Sequence, residues 1–248
     1  MQKLKLNMAL SGILLGLLVV LLVATTLAYF SDTRQVTNTI TAGNVEIVLS
    51  EAQVKPDSTG NLVEDATLPR FVGGRGETEH KYGKIYPAQT IYKDPTVVNS
   101  GSEDAWIAFR ITLHDGSKDL RKVLGYGRGD RLDIHRFFSG SVFSERATVG
   151  VWKGFEHAHY NEHYAMVQVP NPTADKYEFY VFMLSPLSHG EKVVLFDTMT
   201  ISDEWGNADM QELAELKIDV EAFGVQTFSL EGCYEAMTTA LPEYFNLQ

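Results

Sequence analysis

The densest run of reactive side chains is Glu156-His157-Ala158-His159-Tyr160-Asn161-Glu162-His163. Within it His159, Glu162 and His163 spell H-x-x-E-H, the inverted zinc-protease motif, whose two imidazoles share one side of a helix and hold a zinc ion between them. The surroundings do not favour that helix. Only residues 153–163 separate the strand-like segments 149–152 and 164–169, and Gly154 and Asn161 weaken helical propensity. No third protein ligand can be assigned. The run therefore reads as a polar hairpin loop, with adventitious or structural metal binding and a catalytic zinc as its alternatives, and no resident metal or cofactor is expected.

Other chemistry is weaker still. Gly73-Gly74-Arg75-Gly76 and Gly125-Tyr126-Gly127-Arg128-Gly129 are glycine-rich, but neither is followed by Lys-Ser or Lys-Thr, and neither clearly leads from a strand into a helix. Both read as turns rather than phosphate cradles. A G-x-S-x-G nucleophile motif is absent, so no catalytic residue is assigned.

Charge is more informative. Residues 118–136 carry Lys118, Arg121, Lys122, Arg128, Arg131 and Arg136 against three aspartates, a local balance of +3. Residues 203–221 hold seven acids against Lys217, a balance of −6. Arg121, Arg128, Arg131 and Arg136 are thus candidate contacts for an anionic wall polymer or for the acidic segment of a neighbouring subunit, and an ordinary solvated face is the alternative. The whole chain of 248 residues carries −11, which argues against a nucleic-acid partner.

The elements that must position these groups are mostly strands. Ile107, Phe109, Ile111 and Leu113 alternate with Trp106, Ala108, Arg110 and Thr112, the period-two pattern of a strand with a buried face. Further strands are predicted at 97–98, 149–152, 164–169, 177–184, 192–201 and 216–226, and a strand, turn and second strand within 37–49. In 177–184, Tyr177, Phe179, Val181 and Met183 share one face and Glu178, Tyr180 and Phe182 the other, so aromatics on both faces predict a central strand covered on each side. Short helices are predicted at 119–124, 209–213 and 231–241. Residues 51–84, with Pro56, Pro69 and the first glycine cluster, lose periodicity and read as a long exposed insertion. Many short strands with turns between them define an all-β, antiparallel β-sandwich or jelly roll with few helices. Cys233 has no partner for a disulfide and reads as a small buried hydrophobe.

The chain begins with Lys3 and Lys5, then an uncharged run over residues 6–31 that is most apolar at 13–24 and ends in Thr26-Leu27-Ala28. This is the layout of a secretory signal helix cut after Ala28, with a retained membrane anchor as the alternative. Cutting there removes two lysines and no acids, leaving 220 residues with a charge of −13 in one domain, 29–248. Contact with the membrane is then expected only through the uncleaved signal segment.

Residues 24–33 (ATTLAYFSDT), continuing through Val36-Thr37-Asn38-Thr39 to Gly43-Asn44-Val45, resemble the export signal of substrates of the dedicated signal peptidase SipW, the TasA/camelysin family. Later blocks agree: 87–105 (PAQTIYKDPTVVNSGSEDA), 186–197 (PLSHGEKVVLFD), and Glu204-Trp205-Gly206-Asn207 leading into 218–222 and Val225-Gln226. One departure is Ala88, where the family pattern has glycine after the proline. The resemblance implies processing between Ala28 and Tyr29 by a SipW-type peptidase, and a non-enzymatic, jelly-roll protein of the cell surface or biofilm matrix. It further implies a homo-oligomeric fibre in which the mature N-terminal strand, including Phe30, Val36, Thr37 and Ile40, is donated to the next subunit. Residues 29–49 are β-prone and begin at a newly exposed terminus, which is compatible with that role. Two alternatives stay open: a camelysin-like metallopeptidase using the His159/Glu162/His163 cluster, and a monomeric wall-binding or adhesin module.

Overall fold

A computed structural model of the chain describes residues 31–34 (backbone), 45–73, 86–114, 134–169, 176–203, 206 and 217–247. Its strands in chain order are β1 (Ser31–Arg34), β2 (Ile47–Glu51), β3 (Val54–Pro56), β4 (Leu62–Glu64), β5 (Phe71–Val72), β6 (Thr90–Tyr92), β7 (Thr96–Asn99) and β8 (Ala105–His114). They continue with β9 (Phe138–Ser139), β10 (Thr148–Trp152), β11 (Phe155–Tyr160), β12 (Tyr164–Val169), β13 (Lys176–Met183), β14 (Lys192–Val194), β15 (Thr198–Thr200) and β16 (Lys217–Gln226). Two short helices, α1 (Cys233–Ala240) and α2 (Pro242–Phe245), close the described chain. The predicted all-β class, with antiparallel sheets and few helices, is what the structure shows.

The largest sheet runs β1-β16-β8-β13-β12-β11-β10, with every neighbouring pair antiparallel. Two smaller sheets, β14-β7-β2-β5 and β3-β4-β6-β15-β9, accompany it, and β4 meets β6 in parallel. The period-two patterns explain this layering. Ile107, Phe109, Ile111 and Leu113 of β8, with Tyr177, Phe179, Val181 and Met183 of β13, join one core with Ile47, Ile91, Val97, Phe138 and Met199 of the smaller sheets and with Phe196 between β14 and β15. The opposite faces, through Ala108, Tyr180, Phe182 and Phe223, form a second core with Ala236, Met237 and Phe245 of the helices. β13 is thus the central strand of the seven, and both its faces are covered, as its aromatics predict. Each large apolar side chain buried this way contributes about 1.5–3 kcal/mol.

The helix expected at 231–241 is α1, and Cys233 lies buried at its start with its thiol donating to the Ile107 carbonyl at 3.1 Å. Burial pushes that thiol's pKa well above its ordinary value. The helices expected at 119–124 and 209–213 lie outside the described residues.

The strand expected over 192–201 is two strands in different sheets. The cause is visible at the break, where the consecutive Leu195 and Phe196 are both fully buried and so cannot follow a two-residue period. Of the segment read as an exposed insertion, β3, β4 and β5 join the smaller sheets, Ala52 and Leu62 are buried, and Val63, Leu68 and Val72 are exposed. Asp94 fastens it: its carboxylate accepts the Ala52 N–H at 2.7 Å and pairs with Arg70 at 2.8 Å.

The departure at Ala88 has a structural consequence. Gln89 N–H bonds back to the Tyr86 carbonyl at 3.2 Å around Pro87-Ala88, and Ala88 has φ +61°. Proline followed by a positive φ is a type II turn, which favours glycine at its third position. Ala88→Gly relieves about 1–2 kcal/mol of left-handed strain and returns part of it to the unfolded chain's extra freedom. The expected net gain is about 0.5–1 kcal/mol, measurable as a higher urea midpoint at unchanged slope.

Candidate functional site

Four residues of β1 pair with the outer edge of β16, in the register Ser31↔Val225, Asp32↔Gly224, Thr33↔Phe223 and Arg34↔Ala222. The inner edge of β16 pairs along all ten of its residues with β8. On the outer edge, residues 217–221 have no strand partner among the described residues. A strand at the end of a sheet is where another segment can add or exchange through main-chain hydrogen bonds. Ala28, Tyr29, Phe30, Val36, Thr37 and Ile40, the expected cleavage and assembly positions, lie outside the described residues.

β16 is built to receive a close neighbour. At Gly224 an added Cβ would stand 2.9 Å from Ile47 Cγ2, so glycine there lets β2 press against the sheet. Glu221 of β16 sits opposite Arg110 of β8 and forms an ion pair with it in which the carboxylate is buried and the guanidinium partly so. Arg110 Cζ lies 5.8 Å from the ring centroids of both Phe223 and Tyr244, over their faces. Burial works against the Arg110 charge, but the Glu221 carboxylate and the Tyr180 hydroxyl outweigh it, and its pKa lies above the ordinary value. Glu221 is only 4% exposed, and its Oε1 has no hydrogen-bond partner among the described residues. Neither residue was singled out as a site from the sequence; the signal available was a charge on a strand face that also carries apolar residues, Arg110 with Trp106 and Ala108, and Glu221 with Phe223 and Val225.

The histidine run is a loop only over its last three residues. Residues 155–160 are β11, joined to β10 by a two-residue turn at Lys153 and Gly154 with φ of +48° and +88°. Positive φ at both positions marks the primed turn whose twist suits a hairpin. A register shift between Gly150 and Trp152 coincides with His157 at φ +60°, a bulge that explains why strand pairing escaped the sequence pattern. The real loop is 161–163, shaped by Asn161, whose Oδ1 accepts the N–H groups of His163 and Tyr164 at 2.8 and 3.0 Å.

This geometry separates the H-x-x-E-H residues. His159 lies on β11, with its ring 5.1 Å from that of His135, and His135 Nε2 is 3.4 Å from the hydroxyl of Tyr164. Burial and the charge of Glu145 push the Tyr164 hydroxyl up to about 12. His163 instead stands 3.0 Å from Glu145 and 3.6 Å from Glu162. Glu145, Glu162 and His163 bring ligand-type atoms within 4.8 Å of one another, all three residues being exposed. The helical face that the inverted zinc motif requires is not formed, because its residues are divided between a strand and a turn. Glu145 was missed in the sequence, and nothing local to it signals the contact.

The charged segments are only partly described. Arg136 is exposed in a 3-10 turn at Ile134–Arg136, while Arg121, Arg128 and Arg131 lie outside the described residues. In the acidic segment, Asp219 stands 2.8 Å from His114 and 3.1 Å from Lys217, and Glu221 is held by Arg110. Two of the acids that could have faced another subunit are thus engaged within the chain. Among the described residues no helix is long and apolar enough to cross a membrane. No protein-family model matches the chain, and no curated protein or solved structure matches it either.

Proposed function

We propose that this chain is an exported, non-enzymatic subunit of the cell surface or extracellular matrix, which assembles by donating its N-terminal strand to the β16 edge of another copy. The observation that carries this reading is the placement of β1. It is a strand at the end of the largest sheet, next to the N-terminal segment, and it is held there by main-chain pairing to β16 alone among the described strands. A second copy's segment offers β16 the same hydrogen bonds, so exchange costs little beyond freeing β1. Processing between Ala28 and Tyr29 by a SipW-type peptidase releases the segment from its membrane tether, and the sheets form a jelly-roll-like sandwich in one domain over 29–248. A wall polymer engaging Arg136 and its basic neighbours is an accessory partner in this reading. The division of His159 from His163 gives the metallopeptidase alternative no geometric support.

The test is removal of residues 29–39 from the purified mature chain, followed by electron microscopy. Filaments from the parent chain and none from the truncated one are expected. Unchanged filaments would remove the donor role.

A further inference from the structure

The opposite end of the seven-stranded sheet is β10, whose outer edge pairs with no strand among the described residues. Val149 is 57% and Val151 67% exposed, and no charged residue occurs from Ala147 to Trp152. Edges of soluble sheets are ordinarily guarded by lysine, proline or an outward bulge; here the register shift opposite Gly150 to Trp152 puts its extra residue on β11 and not on β10. We propose that β10 is a self-pairing edge, by which two copies of this chain join β10 to β10 antiparallel about a two-fold axis at Gly150.

The sequence of the strand favours a second copy over another partner. Val149-Gly150-Val151 reads the same in both directions, so pairing about Gly150 sets Val149 of each chain directly opposite Val151 of the other. Directly opposed β-branched pairs are the stabilising unit of an antiparallel ladder, and the two exposed valines of each chain cover one another. Charge permits the approach. The nearest cations, Arg146 and Lys153, fall opposite Gly154 and Ala147, so no like charges oppose, although the chain as a whole carries −11. A two-fold contact of this kind is closed, and it links two sheets side by side without using β1 or β16.

Cross-linking tests the register. Val149→Cys and Val151→Cys chains are prepared separately, oxidised alone and as an equimolar mixture, and run without reductant. Opposed Cβ atoms are about 4.5–5.5 Å apart and diagonal ones about 7–8 Å, so the mixture should give a disulfide-linked dimer several-fold above either variant alone. The native Cys233 is buried and does not compete. Val151→Lys, at an exposed position, should shift the parent's dimer to monomer in sedimentation while leaving circular dichroism unchanged. A mixture that links no more than the single variants, or single variants that link equally well, would overturn the proposal. Filament formation is scored separately in each sample, so loss of this contact and loss of strand donation are told apart.

Discussion

Replacing Arg110 with methionine is expected to lower the unfolding free energy by about 3–5 kcal/mol, the range for removing one partner of a buried ion pair. Glu221 would remain buried beside Phe223 with its counter-charge gone, and its Oε1 has no hydrogen-bond partner among the described residues. The loss includes the stacking of the guanidinium over Phe223 and Tyr244, which ties β8 to β16 and α2. For a chain of this size the midpoint of thermal unfolding should fall on the order of 10 °C. The paired change Arg110→Met with Glu221→Leu should recover most of that, because no buried charge is stranded when both partners become apolar. A single variant as stable as the parent would mean that Arg110 does not hold the Glu221 charge.

A comparable loss is expected for Gly140→Ala. Gly140 has φ 82° and ψ 170°, a region that is essentially restricted to glycine. An alanine Cβ there would lie 2.0 Å from Asp197 Oδ1. That carboxylate accepts hydrogen bonds from Ser141 and Thr198, both at 2.7 Å, and the Asp197 backbone bonds to Ser139 and Lys93. Backbone strain and disruption of this charged junction together should cost about 3–5 kcal/mol. Gly154→Ala is the comparison: φ is +88°, but nothing stands within 4 Å, so only the conformational cost of about 1 kcal/mol applies. Equal losses in the two variants, measured by urea unfolding, would show that the Asp197 junction contributes nothing.

What the sequence made legible was the part written in local periodicity. The two faces of β13, the strand β12 over 164–169 and the helix starting at Cys233 follow from alternation or composition within a few residues. The split of 192–201 did not, because Leu195 and Phe196 are both buried in a bend whose partners lie elsewhere in the chain. The candidate site was legible only as types of residue. The H-x-x-E-H spacing named His159 and His163, but a bulge at His157 and a turn at Asn161 decide where each imidazole goes, and Glu145 reaches His163 only in three dimensions. Arg110 and Glu221 are 111 residues apart and meet through the register of two strands, which no local pattern encodes.

The strand-donation account is tested most directly by locking β1 to its own chain. Ser31 and Val225 are register partners, so Ser31→Cys with Val225→Cys places a redox-controlled bolt across β1 and β16. The mature double variant, oxidised while monomeric and imaged by electron microscopy, is predicted to form no filaments until a reductant releases β1. Filaments growing equally from the oxidised and reduced protein would contradict the account.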